Sequence, residues 1–529
     1  MFSTHRDFNK CPLCGPVERQ AFPQSARAPR VLQLLQCNDA PSDTELSGFQ
    51  ETVRTAPARL AELDEKIAHA RRNLDVLTLE RISIEADMED AKALSSPVRR
   101  LPPDILRAIC LDIIPSPFKI MSTLDSHGSL NHTKPPWTLS QVCRSWRSTI
   151  VSSPELWSSM SLVLSNSFSS TIFSQMFMLG LRFERSQNAP LTVGCFSTSD
   201  ISSHPLLSLV ITRISTIKNL RIDSPYQSLA ALSFGRGHLE LLHDLKIKAS
   251  NSNSGAFGAF SAFGQRSIDA FEYAPNLQRF SAYGMLPQPI PLIPWTQLTH
   301  FGLQIDHMRE LEVLRQATNL QNLEIRTGGS FTTGEGYTPV SLPFLTSLTL
   351  ASTKMSGGSS EIRFMFSLLS MPNLVNLHLI YAGMPVLPHI KARNTITTLE
   401  IIRLSTTTGG STETYTFPGL LKLLNSVGNL QHLILRSAGA LSSDDISLLN
   451  PSLTNASLPH LKTLDVRGCT FNFDHSIFVG MVNTRRGGSD TKWDQLETVY
   501  LGSSLVLDDF AAGIWQDLVD DGLKVVYGD

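Results

Sequence analysis

The chain has 529 residues and carries 45 basic against 47 acidic side chains, a formal charge of −2. That balance gives no bulk attraction to nucleic acid or an anionic membrane, and no apolar run approaches the roughly 18 residues a spanning helix needs. Seven cysteines, an odd number scattered along the chain, do not make a disulfide framework.

Residues 1–55 are rich in Pro, Ser, Thr and Asp with little periodicity, and are expected to form a disordered tail. Cys11 and Cys14 make a lone CxxC, with His5 upstream and Cys37 downstream. A zinc site closes a tetrahedron with four soft ligands, and the second half-site is missing, so neither a metal nor a cofactor is expected. The opening MFSTHRDFNK lacks the apolar stretch of a signal peptide, which points to the cytoplasm, the nucleus or both.

Residues 56–97 carry a different period. Leu60, Leu63, Ile67, Ala70, Leu74, Leu77, Arg81, Ile84, Met88 and Ala91 alternate in steps of three and four, a heptad seam with one charged interruption. Pro57 and Pro97 bracket it, and neither Gly nor Pro lies between them. One long helix is expected, with Val76, Leu79 and Ile82 widening its apolar surface. The seam suits either packing on the chain's own body or a weak homodimer through residues 60–91.

Residues 98–160 read as a small helical module. Pro102 and Pro103 suit a first helical turn, and Asp104 favours the positive end of the helix dipole. Ile105, Leu106, Ile109 and Ile113 follow on one helical face. Leu139, Val142, Cys143, Trp146 and Ile150 predict a second amphipathic helix, and Ser153 with Pro154 starts a third, short one that carries Leu156 and Trp157. Between the first two, residues 116–137 contain Pro117, Gly128, Pro135 and Pro136 and read as an inserted loop. The ordered series LPPDIL, VCRSW and SPELW resembles the F-box family, in particular the F-box proteins with leucine-rich repeats abundant in mushroom-forming (basidiomycete) fungi. The insertion is longer than that family usually carries. The resemblance implies docking on a Skp-family adaptor through Leu101, Pro102, Ile105, Leu106, Ile109, Val142, Trp146 and Trp157.

Residues 161–529 repeat. An LxxLxL pattern, often introduced by Pro and Asn, recurs with its first apolar position at 217, 242, 277, 298, 320, 345, 374, 396, 430, 461 and 496. Irregular spacing of this kind predicts a leucine-rich-repeat solenoid, in which each repeat adds one short parallel strand and stacking buries what one repeat cannot bury alone. The expected fold class is therefore α/β: a long N-terminal helix, an F-box-like helical module, then a solenoid with a curved parallel sheet and convex-side helices. Side chains between the inward leucines line the concave face. Among them Arg326, His378, Ile380, Glu400, Ile402 and Arg467 are the candidate target-binding residues, a less polar centre flanked by charges.

No P-loop, HExxH, GxSxG or GxGxxG stands in a strand-to-helix context, so no catalysis is expected. Two functions fit. The resemblance implies a non-catalytic substrate-recognition subunit of a cullin-type (SCF) E3 ubiquitin ligase, with adaptor and cullin as partners and an unknown protein as target. The alternative is a stand-alone interaction scaffold whose F-box-like helices only cap the repeats.

Overall fold

The computed structural model describes residues 10–11, 15–16, 28–37, 39–114, 128–165, 171–250, 268–284, 291–305, 308–327, 338–352, 364–381, 395–403, 420–437, 440–441, 443–452, 458–467, 469–471, 475–487, 493–502, 507 and 509–528. The chain divides into two compact units, residues 1–101 and 102–529.

In the first unit, α1 (Pro29–Gln36) precedes α2 (Asp43–Ser95), and the two are tied by an ion pair between Arg30 and Glu45 at 3.0 Å. Helix α2 starts at Asp43 and not at 56, so two parts of the expected disordered tail are helical. The reason is a capping box: the Ser42 side chain accepts from the Glu45 N–H while the Glu45 carboxylate accepts from the Ser42 N–H, satisfying two of the orphan donors at the helix start. Pro57 lies inside the helix. It removes one intrahelical hydrogen bond, and the run of good helix formers on either side carries the helix through. At 53 residues, α2 spans about 80 Å. None of its residues is buried, and the seam expected over 60–91 extends backwards through Leu46, Phe49, Val53 and Ala56 in the same steps.

In the second unit the helical module contains α3 (Pro103–Ile113) and α4 (Arg144–Val151). Helix α3 has two apolar stripes. Leu106 and Cys110 are buried, whereas Ile105, Ile109 and Ile113 are exposed at 50%, 40% and 48%. The single face expected for Ile105, Leu106, Ile109 and Ile113 is thus split, because residues four apart share a face and residue 106 is turned about 100° from 105. The second expected helix is broken: a 3-10 turn at Leu139–Gln141 precedes extended Cys143, and only then does α4 begin. That break leaves Val142 outside at 59% exposure.

The insertion is not simply a loop. Residues 115–127 lie outside the described residues, but Gly128–Leu130 forms a 3-10 turn and Trp137 is buried. Trp137 and Trp157 meet edge to face at 4.8 Å in a core that also holds Leu106, Cys110, Ile150 and Leu156. The Trp157 indole N–H donates to Ile150 O at 2.8 Å and that of Trp137 to Ser129 O at 3.1 Å, so both polar edges are satisfied. The module does not end at 160. Arg182 of α5 (Ile172–Ser186) is 1% exposed and donates to Ser129 O at 2.9 Å and Ser159 O at 2.6 Å. Burial pushes its guanidinium down to about 9. Arg185, three residues on, lies 4.5 Å from the Trp157 ring and 5.1 Å from that of Trp137. Gly128, at φ +51°, permits the close approach of the turn to the first strand, where a Cβ would stand 2.5 Å from Ser161 O.

Beyond the module runs one open parallel sheet of 14 strands in chain order. Its strands are β1 (Ser159–Val163), β2 (Leu191–Phe196), β3 (Ile217–Pro225), β4 (Asp244–Ser250), β5 (Arg279–Gly284), β6 (His300–Ile305) and β7 (Asn322–Thr327). They continue as β8 (Ser347–Ser352), β9 (Asn376–Tyr381), β10 (Thr398–Arg403), β11 (His432–Ser437), β12 (Thr463–Asp465), β13 (Thr498–Leu501) and β14 (Lys524–Tyr527). Some connections hold helices, among them α6 (Pro205–Thr212), α7 (Leu420–Leu424), α8 (Ser443–Leu448), α9 (His475–Arg486) and α10 (Asp509–Asp520).

Burial alternates along the strands, as in β8 and β9, so one face of the sheet is covered and the other is left half-open. The register stacks like on like: Leu323, Leu348, Leu377, Leu399 and Leu433 align across β7 to β11, and so do Ile325, Leu350, Leu379, Ile401 and Leu435. The first apolar residue of each of the eleven sequence repeats, from Ile217 to Leu496, is 0% exposed. The asparagine that often precedes it has a role of its own. Asn276, Asn319 and Asn373 donate through Nδ2 to Glu240 O, Thr296 O and Pro343 O at 2.7 to 2.8 Å, satisfying a carbonyl of the preceding repeat.

Leu377 is 0% exposed between β8 and β10. Leu377→Asp should bury a carboxylate there and lower stability by several kcal/mol, read as a large drop in melting temperature by circular dichroism.

Candidate functional site

The open face of the sheet carries three lanes of side chains, set by the parallel register, the first through Asn322, Ser347, Asn376, Thr398 and His432. The middle lane runs Arg221, Lys246, Ser281, Gly302, Glu324, Thr349, His378, Glu400, Ile434, Asp465 and Tyr500. Beside it run Asp223, Lys248, Tyr283 and, after a gap, Gln304, Arg326, Ala351, Ile380, Ile402 and Arg436. Arg326, His378, Ile380, Glu400 and Ile402 therefore share one face on nearby strands, and Arg467 lies just past the end of β12.

Two charged clusters flank the apolar centre. In the first, Glu324 accepts from the Arg326 Nε–H at 2.7 Å and from the Tyr283 hydroxyl at 3.1 Å, and the Arg326 guanidinium lies 4.5 Å from the Tyr283 ring. Burial and the Glu324 charge raise the Tyr283 phenol above its ordinary value. In the second, His378 Nδ1 stands 2.6 Å from Glu400 Oε2, Arg436 reaches Glu400 at 3.6 Å and Asp465 at 3.7 Å, and Arg467 pairs with Asp465 at 2.7 Å. Arg467 also lies 4.7 Å from the Tyr500 ring. The His378 hydrogen bond, chiefly, holds the Glu400 carboxyl below its ordinary value. Burial pushes the Asp465 carboxyl up, but Arg467 and Arg436 outweigh it and hold it down. In the lane that runs from Arg326 to Arg436, Ala351, Ile380 and Ile402 are half-buried and carry no polar group, and Ile434 lies in the middle lane between Glu400 and Asp465. This surface offers an apolar patch with fixed charges on both sides, the composition of an interface hot spot inside a polar rim.

Sequence reasoning missed a cleft next to the first cluster. It is a half-open groove of about 300 Å³ lined by Asp244, Lys246, Arg279, Ser281, His300, Gly302, Asn322 and Glu324, among others. Gly302 has no room for a side chain: a Cβ there would stand 2.8 Å from Ser281 Oγ and 3.0 Å from the Tyr283 hydroxyl. Its absence lets Tyr283 on β5 reach across β6 to Glu324 on β7. The signal was a glycine in an outward lane position, which a single repeat does not distinguish from an ordinary turn glycine.

The eight residues assigned to adaptor docking separate by burial. Pro102, Ile105, Ile109 and Val142 are exposed, Leu101 and Trp146 are half-buried, and Leu106 and Trp157 are enclosed in the module's own core. Leu106 and Trp157 therefore hold the module together from within and offer no surface to a partner.

Among the described residues there is no group of three or more His, Cys, Asp or Glu placed to hold a metal ion, and no disulfide joins Cys37, Cys110, Cys143, Cys195 or Cys469. Cys14 lies outside the described residues, as does the side chain of Cys11. No described helix is long and apolar enough to cross a membrane. No protein-family model matches the chain, and no curated protein matches it.

A carboxyl whose folded value is depressed stabilises the fold above the ordinary carboxylate range, and that stabilisation is lost as pH falls through the folded value. Glu400 is such a group. Glu400→Gln should therefore flatten the fall in melting temperature between about pH 5 and pH 3, and leave the profile near neutrality parallel to that of the parent.

Proposed function

We propose that this chain is the substrate-recognition subunit of a cullin-type ubiquitin ligase of the F-box and leucine-rich-repeat kind, acting in the cytoplasm or nucleus. The sheet and its connecting helices form a leucine-rich-repeat solenoid whose open face is concave, and the module of residues 98–160 is its F-box. The protein is not an enzyme. It holds a target near a ubiquitin-charged conjugating enzyme, and its contribution is effective concentration.

One observation carries the reading: α3 buries one apolar stripe and leaves a second, Ile105, Ile109 and Ile113, exposed together with Val142. Burying four such side chains contributes several kcal/mol, and exposed apolar stripes on a small module mark a docking face. The LPPDIL, VCRSW and SPELW series supplies the identity of the partner, a Skp-family adaptor. The target docks on the open face around Ile380 and Ile402, oriented by Arg326, His378, Glu400 and Arg467.

A second reading has its own support. Trp157, Trp137, Arg182 and Arg185 fuse the module to β1 and α5, which is what a helical cap on the first repeats of a stand-alone scaffold would need.

The two readings part on one comparison. The double variant Ile105→Asp with Ile109→Asp, both exposed, should retain the parent melting temperature and lose adaptor and cullin from an affinity purification. Leu106→Ala, in the core, should cost about 2–5 kcal/mol of stability. Full adaptor recovery by the double variant, or no adaptor with the parent, removes the ligase reading. Ile380→Asp with Ile402→Asp should in turn abolish target capture without lowering the melting temperature, and a target still bound places recognition elsewhere.

A further inference from the structure

Helix α2 is the longest of the described helices, and among the described residues none of its apolar side chains is buried. Leu46, Val53, Leu60, Ile67, Leu74 and Met88 occupy one heptad position, and Phe49, Leu63, Leu77 and Ile84, with Ala56, Ala70 and Ala91, occupy the other. The seam holds over the whole helix, with Arg81 as its single charge. Most of these side chains are exposed by 40–70%, for example Leu60 at 60%, Leu74 at 63% and Ile84 at 60%. A seam this long requires a second helix, and the residues flanking it decide which way that helix runs.

A parallel, in-register pair is poorly matched. It sets Arg59 against Asp64 and Asp87 against Lys92, but also Lys66 against Arg71 and Glu80 against Glu85, and it places Arg81 against its own copy. An antiparallel pair centred between Ala68 and His69 behaves differently. Each residue of one seam position then shares a layer with the other position of the second copy, Leu60 with Leu77, Leu74 with Leu63, and Ile67 with Ala70. The flanking charges become Arg59 with Glu80, Asp64 with Arg71 and Asp43 with Lys92, each occurring twice by symmetry, with no like-charged pair. Arg81 falls opposite Ala56, the small side chain that leaves room for a guanidinium to reach solvent. The extra heptads that begin at Asp43 are needed for this register, because Leu46, Phe49, Val53 and Ala56 supply the layers for Ala91, Met88, Ile84 and Arg81.

We infer that α2 is the dimerisation element of this protein, pairing with α2 of a second copy as an antiparallel coiled coil with its two-fold axis between residues 68 and 69. The pairing places the C-terminal ends of the two α2 helices at opposite ends of the rod, about 80 Å apart.

The intact chain tests this. Light scattering across a concentration series should show a mass that rises from one chain to two. A zero-length carbodiimide reagent, followed by peptide mass spectrometry, should join the Lys92 amine to the Asp43 carboxylate. Those residues are roughly 70 Å apart on one helix, so the link has to form between copies. Arg71→Asp and Glu80→Arg should each weaken the dimer at least tenfold. The first sets a second carboxylate against Asp64, and the other sets a second guanidinium against Arg59. Asp64→Arg combined with Arg71→Asp should restore the pairing. In a parallel pair both single changes would relieve a repulsion and tighten the dimer. A concentration-independent monomer, tighter association of the Arg71→Asp and Glu80→Arg variants, or a dimer without the Asp43–Lys92 link overturns the inference.

Discussion

Everything in the larger unit depends on the inward leucines being shared between neighbouring strands. A strand of six residues has no core of its own. It gains one only when the strands on both sides present apolar side chains at the same height, and the parallel register enforces that height to the residue. The two inward residues of a strand and the fully buried residue that precedes it are therefore fixed together. Whatever lies between them on the outside is free to vary, and that is where the charge clusters, the apolar patch and the Gly302 cleft are found.

The same constraint explains some of the buried polar groups. Among the described turns that lead into the strands, buried backbone carbonyls need donors of their own. Asparagine side chains answer this at three repeats, and arginines answer it at the ends. Arg182 serves the carbonyls of Ser129 and Ser159, and Arg485 those of Leu449 and Leu458. Burial lowers both guanidinium groups, to about 9 and about 10, yet they remain cationic at neutral pH. These arginines act as multivalent donors more than as ion-pair partners.

Period and spacing made the inward leucines, the outward lanes and the heptad seam legible in the sequence, because each depends on position along a regular element. What was not legible depends on contacts between distant segments. The burial of Trp137 inside the apparent loop requires Trp157 and Arg185. The two stripes of α3 look like one until the position of α4 selects Leu106 and Cys110. The break at Cys143 conflicts with a clean helical period, and the reach of Tyr283 over Gly302 to Glu324 spans three strands. Helix α2 exceeds the expected helix for the opposite reason: a proline such as Pro57 looks locally like a stop, whereas the true start is set by the capping box at Ser42 and Glu45, upstream of the seam.

The bond between Arg182 and the carbonyls of Ser129 and Ser159 has a consequence for how this protein is divisible. The helical module resembles a portable cassette, yet one of its walls is built by residues 178–185 and one of its turns leans on β1. A fragment cut at residue 160 would strand two tryptophans without their cationic cover and leave the 128–130 turn without its donor. Any fragment meant to carry this module therefore has to bring β1 and α5 along with it, and the shortest piece that keeps these contacts ends at Ser186.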